Sequence, residues 1–474
     1  MRFLGVFCLS LLPLQWFVVL GSPVGGNIRV HQLAILVLAA AIILTYGFKQ
    51  SEEIIYRFRV FLIANAYMYM IWVCITFYQD MIPLDPFEEM IYMVIFLSIA
   101  VYFFQAATSD DVRFVQTLRW TGPLCLLVLI GGLIVGSIQN HVDIVGVIAA
   151  SIAAADPNII EFQLFRRVFG GFGFESDDVR ANFRHEIFGG LLLSLFITGW
   201  AATKAPFRPG REQFVYRMTM VGGTAMVLLS LSRSIIIAGA VWPVLLVIRA
   251  LLTGRISQRN QLTGVLVLIA AVVAGVFGVW QLLYERFFES TASYDTRAGN
   301  AGLALQTIKE NFWIGKPDLT GETSAHNFVL DAWSGAGAFV GFPALIVFLS
   351  IVLLWATLLL RIETLSDEML VICAAIALPS IRMVTQGGGL LALVEWVTLG
   401  FIAGALVAHD RTERKDSDKG DDKGEVPAAK PQSQLVQAAA AARANARLSP
   451  TAAGDNGVRP AGSRGASAVQ RTGR

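Results

Sequence analysis

The residues of this chain best suited to chemistry sit in polar stretches between long apolar runs. His326 lies in Ser324-Ala-His326-Asn327-Phe-Val-Leu330, and Arg297 precedes it in the same hydrophilic segment, 285–335. Ser324 is a good N-cap residue, which predicts a helix running from it through Leu330 and Trp333, with His326 in the first turn. The positive end of that helix and the nearby arginines disfavour imidazolium, so His326 is expected to be neutral near physiological pH, with a lone pair open to a proton. A neutral imidazole is what a general base requires. Arg297 and the free N–H groups at helix starts favour an anion instead, above all a phosphate or diphosphate. Asp295 is the expected N-cap of an earlier surface helix whose stripe is Leu303, Leu305, Ile308 and Phe312, ended by Gly315 and Pro317.

A second polar cluster is Ser230-Leu-Ser232-Arg233-Ser234, where Arg233 opens a helix between two serines. A guanidinium at headgroup depth lies where the diphosphate of a lipid-linked donor would sit, the alternative being an arginine that snorkels to the interface. The segment 139–186 interleaves Phe162, Phe165, Phe169, Phe172, Phe174 and Phe183 with Arg166, Arg167, Arg180 and Arg184. Aromatic faces suit sugar rings and arginines suit an anionic glycan or lipid, with interfacial anchoring the competing reading. His185-Glu186 is not a zinc motif, because the second histidine it requires is replaced by Gly189. No metal is assigned.

These residues must be held by elements that cross a bilayer. Hydrophobic residues make up 55% of the 474, charged residues only 15%, and the mean hydropathy is +0.61, which excludes an ordinary soluble domain. Long uninterrupted apolar runs also exclude a β-barrel. The expected fold is all-α, a polytopic membrane bundle of about twelve transmembrane helices with short helices in an outer loop. The runs are Phe3–Leu20, His31–Phe48, Val60–Phe77, Met90–Ala106, Trp120–Ile138, Ile187–Ala202, Phe214–Ser230, Ile235–Leu252, Thr263–Tyr284, Ala336–Leu360, Met369–Val384 and Leu390–Ala408. Phe3–Leu20 is read as an uncleaved helix in preference to a signal peptide. Lys49, Arg57, Arg59, Arg113, Arg119, Lys204, Arg208, Arg211, Arg217, Arg249, Arg255 and Arg259 fall in alternate connections, so those connections are expected to be cytoplasmic and the loops 139–186 and 285–335 to lie outside. Residues 1–408 form the expected membrane domain and 409–474 a disordered cytoplasmic tail, since that segment has almost no large apolar residue. Arg382 and Glu395, at matched depth in the last two runs, read first as an ion pair and second as a substrate contact. The four cysteines all fall in apolar runs and give neither a disulfide framework nor a metal spacing.

Ser-Arg at a helix mouth, an arginine opening the long outer loop, and His-Asn-x-x-Leu followed by a glycine-rich entry into the next run together resemble the O-antigen ligase and O-antigen polymerase superfamily, over roughly residues 188–408. The resemblance implies transfer of a glycan from undecaprenyl diphosphate to an acceptor hydroxyl, with no cofactor, no metal and no nucleic-acid partner. Arg233 and Arg297 match the arginines that serve the diphosphate, and His326 matches the catalytic histidine. Asn327, Ser232, Ser234, Arg180 and Arg184 are the residues of this sequence expected to contact the substrate beside them. The acceptor is lipid A core for a ligase and another lipid-linked repeat for a polymerase, and the expected location is the bacterial inner membrane, among membrane lipid, with the active loops periplasmic. Two departures bear on the acceptor: Gly335 stands where an acidic residue is frequent, and the second glycine is displaced to Gly341. A polysaccharide or lipid transporter is the alternative of another class, but carriers place their polar residues at mid-membrane within repeated halves.

Overall fold

The computed structural model describes residues 1–21, 27–47, 51–79, 81, 84–109, 111–170, 183–254, 279–285, 287, 292–316, 324–385 and 391–421. In chain order these form α1 (Arg2–Ser10), β1 (Val18–Gly21), β2 (Asn27–Arg29), α2 (Val30–Tyr46), α3 (Glu52–Arg57), α4 (Arg59–Tyr78), α5 (Leu84–Thr108), α6 (Val112–Leu118), α7 (Thr121–Gln139), α8 (Ile144–Ala154) and α9 (Pro157–Ile159). A π-helical segment, Ile160–Arg166, leads into α10 (Arg167–Gly170). Then follow α11 (Phe183–Lys204), α12 (Arg211–Leu229), α13 (Arg233–Thr253), α14 (Val279–Tyr284), α15 (Ala292–Glu310), α16 (Phe328–Ala336), α17 (Ala338–Leu359), α18 (Asp367–Thr385) and α19 (Leu393–Asp421). Apart from one antiparallel ribbon, β1 with β2, the described chain is helical, as an apolar sequence needs if its backbone polar groups are to be satisfied locally.

Among the described residues, eight helical stretches are long and apolar enough to cross a membrane: those within α4, α5, α6 with α7, α11, α13, α17, α18 and α19. The remaining expected runs differ for local reasons. Phe3–Leu20 does not form one helix, because Pro13 lies where the chain leaves α1 and a strand follows. Helix α2 is shorter, and α12 carries Arg211, Glu212 and Arg217 on its first half. The run Thr263–Tyr284 lies outside the described residues except for α14. Conversely, the segment 139–186 contains an apolar helix, α8, where only a loop was expected.

Ion pairs fix which helix ends lie together. Lys204 on α11 meets Glu368 at 3.0 Å, and Arg249 on α13 meets Asp367 at 2.7 Å, so the end of α11, the end of α13 and the start of α18 share one face of the bundle. Arg119 with Glu212, Arg57 with Asp410, Arg411 with Glu53, and Arg2 with Asp111 belong to the same face. The start of α11, the start of α13, the end of α18 and the start of α19 therefore lie at the other face, called here the site end. Contacts divide the chain into Met1–Glu413 and Arg414–Arg474. Helix α19 passes the expected boundary at 408 and continues to Asp421; residues 422–474 lie outside the described residues.

Helices α11 and α19 are the axis of the bundle, with 89% of each spanning window buried, against 17% for α13. Trp396 and Phe401 of α19 pack on Phe96, Phe103 and Trp200, and Gly404 lets α19 approach α5 so closely that a Cβ there would lie 2.2 Å from the Ala100 carbonyl oxygen. Gly404→Leu is expected to force these helices apart, at about 1–3 kcal/mol or more for overpacking, and to lower the unfolding temperature of the protein in detergent. An unchanged melting curve would contradict this packing.

Candidate functional site

The His326 loop is built around a buried carboxylate. Asp331, 9% exposed in the first turn of α16, accepts hydrogen bonds from the Ala325 amide to Oδ1 at 2.6 Å, from the Asn327 amide to Oδ2 at 3.2 Å and from the Ser324 hydroxyl to Oδ2 at 3.0 Å. The helix starts at Phe328, later than expected, because Asn327 wins the cap: its Oδ1 accepts from the Val329 and Leu330 amides, each at 3.1 Å. Ser324 instead accepts the His326 amide at 3.2 Å. His326 stands outside the helix, half-buried, at a φ of +53°, a left-handed backbone that cannot continue a right-handed turn. The expected first-turn placement, and with it the strongest part of the helix-dipole argument for a neutral ring, is corrected accordingly.

Helix α15 carries Arg297 to this loop. The helix begins at Ala292, so Asp295 lies inside it and is not its cap. The Asn300 side chain donates to the Ser324 carbonyl at 3.1 Å, and Arg297 lies three residues earlier in the helix. Just beyond α15 the chain at 312–316 crosses the α16–α17 junction through main-chain bonds, Lys316 N to Ser334 O at 2.8 Å and Ala338 N to Phe312 O at 2.7 Å. That crossing requires Gly337, whose φ is +75° and whose Cβ would stand 2.1 Å from the Trp313 carbonyl oxygen.

Arg233 is placed as the sequence indicated. It is the first residue of α13, with Ser232 at the N-cap, and Leu231 at a φ of +49° makes the reversal from α12. The buried Ser232 hydroxyl makes no cap bond; it lies 2.5 Å from His185 Nδ1 and 3.3 Å from Ser234 Oγ. His185 on α11 thus grips the start of the arginine helix. Both α13 and α16 pack on α18, so α18 is the shared neighbour of the helices that begin at Arg233 and follow His326. Arg184 is the second residue of α11. Arg180 and the side chains of Arg184 and Arg297 lie outside the described residues.

At the same end Arg382 and Glu395 form the expected buried ion pair, Nε to Oε1 at 2.7 Å. Glu89 of α5 accepts the Trp396 indole N–H at 2.5 Å and the Leu391 amide at 3.1 Å, which ties down the start of α19. Asp331 and Glu89 are polar residues that pattern reading passed over, and His185 figures there only as part of a failed zinc motif. An acid four residues after Asn327 was a visible signal for Asp331; nothing local marks contacts that span 47 or 307 residues. Among the described residues, one group could bring metal-ligand atoms within 4.8 Å of one another, His409, Asp410 and Glu413, and it lies at the opposite end, with Asp410 paired to Arg57.

The chain matches no protein-family model and no curated protein. The fold defines the class: among the described residues, an almost wholly helical polytopic protein of membrane-spanning type.

Asp331→Ala would leave the Ala325 amide, the Asn327 amide and the Ser324 hydroxyl without this acceptor, at about 1–3 kcal/mol for each buried group. Amide hydrogen exchange over residues 324–331 is expected to accelerate at least tenfold while α18 stays protected. Unchanged exchange would show that the loop does not depend on this carboxylate.

Proposed function

We propose that the protein is a membrane glycan transferase that moves an oligo- or polysaccharide from undecaprenyl diphosphate to an acceptor hydroxyl, in the manner of an O-antigen ligase. The observation that carries this reading is the loop geometry: a histidine in a loop organised by Asp331 through Ser324, Ala325 and Asn327, tied by Asn300 to the helix of Arg297, at the bundle end where α13 begins with Arg233. A histidine base acting with two guanidiniums at a membrane face would suit one reaction class. His326 takes the proton of the acceptor hydroxyl, whose oxygen forms a bond to the anomeric carbon. The bond from that carbon to the diphosphate breaks, its electron pair leaves with the phosphate oxygen, and Arg233 and Arg297 stabilise the growing negative charge, each group contributing about 2–4 kcal/mol. Back-side displacement inverts the anomeric centre.

The spread of basic residues supports an orientation. Lys204, Arg249, Arg119 and Arg57 all lie at the end opposite the site, which supports a reading with that end cytoplasmic and the His326 loop on the periplasmic side of an inner membrane. A repeat-unit polymerase would use the same donor chemistry with a lipid-linked glycan as acceptor.

Reconstituted protein is expected to lose about two to three orders of magnitude in transfer rate on His326→Ala, with donor binding retained. Arg233→Ala and Arg297→Ala are expected to weaken both donor binding and rate. Normal turnover by the His326→Ala protein would remove the general-base assignment.

A further inference from the structure

The Arg382–Glu395 pair is only half closed. A guanidinium edge presents two parallel N–H groups, Nε and Nη2, to the two oxygens of a carboxylate, and a purely structural pair engages both. Here Nε meets Oε1 at 2.7 Å, whereas Arg382 Nη2 and Glu395 Oε2 are buried and have no hydrogen-bond partner among the described residues. The two residues are 3% and 1% exposed. Leaving a charged donor and a charged acceptor unmet at such depth is costly, so the arrangement calls for a group that satisfies both.

Charge decides what kind of group. Glu186, in the first turn of α11, lies in electrostatic range of both Arg382 and Glu395. Glu89 stands close by on the start of α19, through its bonds to Leu391 and Trp396. Arg29 and Glu88 are also in range of Glu186, so carboxyl groups still outnumber guanidiniums around the pair and a phosphate or another anion is disfavoured at this point. A hydroxyl is neutral and can accept from Nη2 while donating to Oε2. Its position at the site end puts it on the same face of the bundle as Ser232, Arg233 and His326.

We infer that Arg382 and Glu395 form a sugar-hydroxyl subsite, in which one hydroxyl of the glycan bridges the open Nη2 and Oε2 and completes the pair. The inference rests on the transferase reading and adds to it a contact that recognises the sugar, separate from those that serve the diphosphate. Arg382 and Glu395 are then specificity residues, while Glu89 is a positioning residue that holds α19 in register.

The test compares two probes on full-length protein in nanodiscs: undecaprenyl diphosphate without sugar, and the undecaprenyl-diphosphate-linked glycan purified from native membranes. Wild-type protein is expected to bind the glycosylated lipid roughly ten- to a hundredfold more tightly than the bare one, as befits a hydroxyl bonded to charged groups. Glu395→Gln is expected to erase most of that difference and leave the affinity for bare lipid unchanged. Should Glu395→Gln fail to fold, Arg382→Lys and the exchanged pair, Arg382→Glu with Glu395→Arg, provide the same comparison, and restored melting without restored sugar preference is the expected result. Equal wild-type affinity for both lipids, or a preference that survives these substitutions, would overturn the subsite and leave the diphosphate reading intact; water alone would then bridge the pair. Failure of wild-type protein to bind either lipid would overturn the transferase reading itself, and the subsite with it.

Discussion

In an apolar bundle a buried polar group left without a partner is costly, and that constraint arranges this molecule. At one end the chain meets it with ion pairs between helix termini, Lys204 with Glu368 and Arg249 with Asp367. At the site end carboxylates do the work by gathering N–H groups: Asp331 collects two loop amides and a hydroxyl, and Glu89 collects an amide and an indole. The site end adds one ion pair of its own, Arg382 with Glu395, between α18 and α19. Ion pairs join helix to helix, whereas the carboxylates shape short irregular stretches of backbone that a helix alone could not provide.

Irregular backbone is what the proposed chemistry needs. His326 sits at a left-handed φ directly before a capped helix, a conformation that costs about a kcal/mol or more and persists because Asp331, Ser324 and Asn327 over-determine it. The glycine crossing at Gly315 and Gly337 binds α15 to the same junction through main-chain bonds. Position of the base and position of the arginine helix are thereby coupled. A shift in one is transmitted to the other through Asn300 and the crossing.

Much of this was legible in the sequence, and the illegible part has a common cause. Apolar runs gave the helical class and most boundaries, and the serines around Arg233 marked the start of α13 within a residue. Matched depth was enough to pair Arg382 with Glu395. The start of α16 was misplaced because Ser324 and Asn327 are both good caps, and only the tertiary demand of Asp331 on Ser324 decides between them. His185 drew attention as a failed zinc motif, while its partner Ser232 lay across a helical hairpin. Apolar content alone also overstated Phe3–Leu20, where Pro13 and a strand replace one continuous helix, and it concealed α8 inside a supposed loop.

The account stands most directly on the stereochemistry of one turnover. Purified protein, given undecaprenyl-diphosphate-linked glycan and an acceptor saccharide, should form a new glycosidic bond whose anomeric proton coupling in NMR reports inversion relative to the donor linkage. A product with retained configuration would contradict single displacement by a His326-activated hydroxyl, and the absence of any new glycosidic bond would contradict glycan transfer altogether.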